Sequence, residues 1–210
     1  MKRGIALVCV MVMTGCAYQV KPVAPGAINV YSSYESKVPG KFVVVYDDSL
    51  RNVSREIRPV SHVCSAHTYP LDAGDSLVNG LRKMFDATLQ ETREAKTLPS
   101  LNEMQSDGTR AAILVRLEDL SVRLSCSLGF WSGTCTSTTD MSMSVSAKNS
   151  EGKNVFDTQV TGSKTVDGDS GGACDKANEL VEESFTRSAR DALERLAERI
   201  ANAARLRPKQ

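Results

Sequence analysis

The stretch Ala111-Ala112-Ile113-Leu114-Val115-Arg116-Leu117-Glu118 decides the fold. Ile113, Val115 and Leu117 alternate with Leu114, Arg116 and Glu118, which is the two-residue period of a strand. Ser121 to Cys126 continues the run, and Leu128-Gly129-Phe130-Trp131-Ser132-Gly133 turns it. Residues 135–147 return with Met141, Met143 and Val145 on alternate positions. Asn149-Ser150-Glu151-Gly152-Lys153 reads as a second hairpin turn, and 155–166 runs back with Phe156, Thr158 and Val160 in alternation. The expectation is one long three-strand meander over 111–166.

Outward from the meander the period changes. From about Asp175, the residues Ala177, Val181, Phe185, Ala189, Ala192, Leu196, Ile200 and Ala203 recur at helical spacing. Glu182, Glu183, Arg187, Arg190, Glu194 and Arg195 cover the other faces, where i,i+4 pairs form. On the N-terminal side a helix is expected over 73–94, with Asp72 as its N-cap. Its stripe is Leu77, Leu81, Met84, Phe85, Thr88 and Leu89, and Gly80 beside it suits close packing against a strand. Residues 98–110, with Pro99 and Asp107-Gly108, read as a connection. Lys41-Phe42-Val43-Val44-Val45-Tyr46 reads as a buried strand closed by a turn at Asp47-Asp48-Ser49, and 58–68 as a weaker strand. The order is strand, strand, helix, three-strand meander, helix. It predicts an α+β fold: a mixed, mostly antiparallel sheet with two helices packed on one face.

The N-terminus carries a different message. Lys2 and Arg3 precede an apolar run from Ile5 to Met13, too short to span a bilayer and suited to the core of a secretory leader. The run ends in Met13-Thr14-Gly15-Cys16, which resembles the bacterial lipobox, with Met13 where leucine is usual. That resemblance implies cleavage before Cys16, acylation of its thiol and amine, and anchoring by several acyl chains. Ala17 and Tyr18 follow, without the aspartate that marks retention in the inner membrane, so the outer-membrane type is implied. The expected division is 1–15 signal peptide, 16–40 lipidated tether rich in Pro, Gly and Ser, 41–205 a single α+β periplasmic domain, and 206–210 a loose tail. The whole chain has 210 residues and a net charge of +1. Loss of Lys2 and Arg3 takes the charge to −1, and a neutral balance without a basic patch argues against nucleic acid.

Cys9 leaves with the leader and Cys16 is read as the lipidation site, so Cys64, Cys126, Cys135 and Cys174 remain. An even set in an oxidising compartment predicts two disulfides. Three connectivities are possible. Cys126 and Cys135 flank a hairpin turn and suit one bridge, which leaves Cys64 with Cys174. The competing zinc reading lacks a C-x-x-C pair. No cofactor is expected.

Gly168-Asp169-Ser170-Gly171-Gly172 resembles the nucleophile loop of chymotrypsin-like proteases, and Ser65-Ala66-His67 distantly resembles their histidine segment. A triad needs its structural context, and here a charged helix follows the loop where those proteases have a proline and a strand. Two further constellations have bland readings. His62 and His67 flank Cys64 without the rest of a ligand set, and Asp167, Asp169 and Asp175 lack a calcium-loop register. Phe130 and Trp131, at the hairpin tip, are the candidates for contact with a partner or a membrane surface.

The element order together with the lipobox resembles envelope lipoproteins of the LPS-assembly type and the N-terminal domain of TolB. This implies a binding or assembly role, with envelope proteins or lipopolysaccharide machinery as partners. Three functions stay open: a non-enzymatic outer-membrane lipoprotein, a periplasmic serine hydrolase using Ser170 and His67, and a surface-displayed lipoprotein contacting host or phage.

Overall fold

The computed structural model describes residues 16–129 and 133–207. Its architecture is α+β. A five-stranded mixed sheet has a two-stranded sheet beside it, with helices packed on the larger one.

Strand β1, Val38–Tyr46, is second in the sheet, and its run from Phe42 to Tyr46 is buried throughout. Phe42, Val44 and Tyr46 join the main core, while Val43 and Val45 are buried outside it. That split is the pleat of a strand covered on both faces. Asp47 caps a single turn, α1 (Asp48–Arg51), by accepting from the Ser49 N–H at 3.0 Å. The pair β2 (Ser54–Ile57) and β3 (Tyr69–Asp72) forms the small antiparallel sheet. Residues 58–68, expected as a strand, are instead the loop between these two. Its path is set by outside bonds: the Val60 N–H donates to Leu124 and the Cys126 N–H to the Ser61 hydroxyl, both at 2.8 Å.

Helix α2, Gly74–Thr88, buries the stripe Leu77, Leu81, Met84 and Phe85. Two details differ from expectation. Asp72 lies in β3 and makes no cap, and the helix ends at Thr88, where the hydroxyl donates to the carbonyls of Met84 and Phe85. Leu89–Ala95 is β4, a parallel edge strand on β1. Its Leu-Gln-Glu-Thr-Arg-Glu-Ala composition suits a helix, and pairing with a buried strand overrides that preference. Helix α3, Leu101–Ser106, occupies the expected connection and opens with a capping box between Ser100 and Glu103.

The meander is β5 (Thr109–Leu128), β6 (Gly133–Asn149) and β7 (Asn154–Asp169). Sheet order is β4-β1-β5-β6-β7, with β1 parallel to both neighbours and the meander antiparallel. A bulge at Leu117/Asp119 resets the register of β5. Along β6, Cys135, Ser137, Thr139, Met141, Met143, Val145 and Ala147 are all buried, and the residues between them are partly exposed. Helix α4, Ala177–Ala201, lies along this buried face. It approaches β7 so closely that a Cβ on Gly162 would sit 2.1 Å from the Ser188 carbonyl oxygen. Three buried hydroxyls satisfy one another in the same interface: Ser184 bonds Ser137 at 2.8 Å and Thr139 at 2.9 Å. Gly80 of α2 faces Leu193 of α4 and Pro25 rather than a strand.

The stretch expected as a spacer packs along the domain. Val20 is buried, Ile28 and Val30 pack against the core, Asn29 bonds Glu194, and the Ser33 N–H bonds Asn202. Val20, Ile28 and Val30 find an apolar surface, while Val23, Tyr31 and Tyr34 stay exposed.

Candidate functional site

Four segments converge at one pole of the molecule, around sulfur. Cys64 is bonded to Cys174 across 110 residues, and Cys126 to Cys135 across 9. Cys126 and Cys135 stand directly opposite in the β5–β6 ladder. Their sulfurs and that of Cys64 all lie within 4.8 Å of one another, so the two disulfides are in contact. A metal would need thiolates, and all three of these sulfurs are oxidised. Cys64 and Cys174 both have left-handed backbones, at φ 63 and 60 degrees. Such backbones are unusual outside glycine, and the surrounding contacts hold them.

The N-terminal segment enters beside this cluster. The Cys16 carbonyl accepts from Thr68 at 3.3 Å, and the Tyr18 N–H donates to the Thr68 carbonyl at 2.9 Å. The Tyr18 ring stacks on Tyr69 with centroids 5.8 Å apart and lies 5.5 Å from the ring of His67. Tyr69 is fully buried, and its hydroxyl donates to the Cys174 carbonyl at 2.7 Å. Burial first, then its neighbours Tyr18 and Asp175, push its phenol up to about 12. Among the described residues Cys16 is the free cysteine, and it is exposed.

Ser170 and His67 belong to this pole without forming a catalytic pair. The Ser170 hydroxyl is buried and donates to the Gly171 carbonyl at 3.2 Å, while His67 Nδ1 is buried without a hydrogen-bond partner. No hydrogen bond joins the two among the described residues, and no carboxylate orients the imidazole. The aspartates nearby serve the loop and the strand ladder. Asp169 accepts from the Gly171 N–H at 3.0 Å, and Asp167 accepts from Thr136 at 2.6 Å. Phe130 and Trp131, the contact candidates, lie outside the described residues.

Two clefts at the other end of the meander went unread in the sequence. One, of about 540 Å³, is lined by Gly40, Gln105, Arg110, Asn149 and Arg205. A second, of about 740 Å³, lies between the start of β7 and the end of α4, with Phe156, Thr158 and Arg199 in its wall. Their residues come from five separate places in the chain, so no local motif announces them. No helix among the described residues is long and apolar enough to cross a membrane.

No family model and no curated protein matches the sequence. Solved structures similar to it include a Xanthomonas campestris protein of the DUF330 family, 12% identical, covering 87% of this chain and 92% of its own, with a TM-score of 0.43. A minor lipoprotein from Acinetobacter baumannii is 11% identical over 79% of this chain and 90% of its own, at 0.37. Lipoprotein GNA1162 from Neisseria meningitidis is 12% identical over 70% and 95%, at 0.30. Likenesses this distant carry no argument about activity.

Proposed function

We propose that the chain is a lipoprotein held at the outer membrane through acylated Cys16, and that its domain is a non-enzymatic binding or assembly module for envelope components. The observation that carries this reading is the state of the cysteines. The four in the body of the domain are spent in two disulfides, and Cys16, next to the leader, is free and exposed. The disulfides fit an oxidising compartment outside the cytoplasm. The β5–β6 turn, with Phe130 and Trp131, is the contact element toward envelope proteins or lipopolysaccharide machinery.

Metabolic labelling with an alkyne palmitate tests the anchor: the label appears on the wild-type protein and not on Cys16→Ser, which leaves the membrane fraction. Crosslinking in whole cells tests the role: a Phe130→Ala/Trp131→Ala variant loses the envelope partner that the wild type recovers. Labelling of Ser170 by a fluorophosphonate would overturn the non-enzymatic reading.

A further inference from the structure

We infer that the pole where Cys16 meets the sulfur cluster is a lipid-facing surface, seated directly on the bilayer, with the two clefts pointing away from it. This rests on the anchor reading above and adds an orientation to it. Three observations carry it.

The first is the absence of slack. A flexible linker lets a domain wander from its anchor by tens of ångströms. Here Cys16 is itself hydrogen-bonded to Thr68, Tyr18 is paired with the same residue, and Val20 is buried. Acyl chains on the Cys16 thiol therefore hold this pole within about one residue length, ~3.5 Å, of their point of attachment.

The second is charge. The segments 16–20, 59–71, 124–129, 133–139 and 170–174, which meet at this pole, contain no Asp, Glu, Lys or Arg. At their edge stand the exposed Asp167 and Asp169 at the end of β7 and Asp175 and Lys176 after the loop, with Lys176 paired to Asp169. The chain as a whole is 24% charged. Charged groups resist transfer toward the acyl region, whereas serine, threonine and histidine are tolerated at the headgroup level.

The third is exposed apolar surface. Leu128 and Val60 are the two most exposed of the large hydrophobic residues described, at 78% and 74%. Both sit on this pole. Leu128 is two residues beyond Cys126, and Val60 is bonded to Leu124 of the same strand. Burial of such side chains is favourable, and the acyl boundary offers it where water does not. The clefts lie where β5 begins, at the far end of a 20-residue strand from Leu128, so they are carried up to about 60 Å from the bilayer at ~3.3 Å per residue.

The sole tryptophan, Trp131, is three residues from Leu128 in the sequence and serves as the probe. The lipidated protein is bound to phosphatidylethanolamine/phosphatidylglycerol vesicles with or without bromine on the acyl chains, and its tryptophan fluorescence is compared. The inference expects at least a two-fold loss of fluorescence in the brominated vesicles. It expects that loss to vanish in Val60→Asp/Leu128→Asp while the protein stays vesicle-bound. Bound wild-type protein with unquenched fluorescence would overturn it. Should Cys16 carry no native acyl group, coupling a maleimide phospholipid to its free thiol allows the same reading. Failure of the anchor then appears in the mass of Cys16, and failure of the orientation in the quenching.

Discussion

Tyr69 ties the N-terminal segment to the disulfide cluster, and its chemistry makes a pH prediction. Its hydroxyl is buried, donates to Cys174, and titrates at about 12 in the folded chain. An unfolded tyrosine titrates near 10. A phenol raised on folding adds stability that is fully present below about pH 10 and is lost as pH rises from there through about 12. Tyr69→Phe is expected to cost roughly 1–3 kcal/mol at neutral pH, because the Cys174 carbonyl loses its donor inside the protein. It is also expected to flatten the loss of stability in that alkaline window. Urea unfolding of both proteins at pH 7 and pH 11 measures the two effects. At the same scale, Cys64 and Cys174 show what a sequence hides. Their pairing follows from elimination, yet nothing local announces that both need a left-handed backbone, or that their bridge touches the other one.

At the scale of elements, α4 packs on β7 at backbone distance. Gly162 lies under Ser188 and Ala192 with no room for a methyl group. Gly162→Ala should force the helix off the sheet and lower stability by about 1–3 kcal/mol, read as a fall in thermal midpoint with the disulfides intact. The meander and α4 were legible because their periods are long and undisturbed: β6 keeps strict alternation from Cys135 to Ala147, and α4 keeps its stripe for 25 residues. The boundary of α2 was not legible. Leu89 continues the helical spacing, and only the neighbouring β1, distant in sequence, turns 89–95 into a strand. Helix α3 was legible but unread: Ser100-Leu101-Asn102-Glu103 is a capping-box pattern, masked by Pro99 and Asp107-Gly108 on either side. The small strands β2 and β3 are four residues each, too short for their alternation to stand out.

At the scale of the molecule, the two disulfides do different work. On the chain-entropy account the bridge between Cys64 and Cys174 contributes about 4–5 kcal/mol, and the one within the hairpin about 2.6 kcal/mol. The double variant Cys64→Ala/Cys174→Ala should therefore lose more stability than Cys126→Ala/Cys135→Ala, measured by equilibrium unfolding under non-reducing conditions. The opposite ranking would show that the long bridge does not constrain the unfolded chain. The clefts, assembled from residues scattered between Gly40 and Leu206, exist only at this scale and could not have been found along the sequence. The charge-poor pole is the reverse case. Each of its segments can be read from the sequence, but only the fold shows that they meet.

The central claim is that Cys16 becomes an acylated N-terminus. Its most direct test is mass spectrometry of the N-terminal tryptic peptide from protein purified out of membranes. The account predicts a peptide that begins at Cys16 and carries the added mass of a diacylglyceryl group and an amide-linked acyl chain. An unmodified Cys16, or a chain that still begins at Met1, would contradict it.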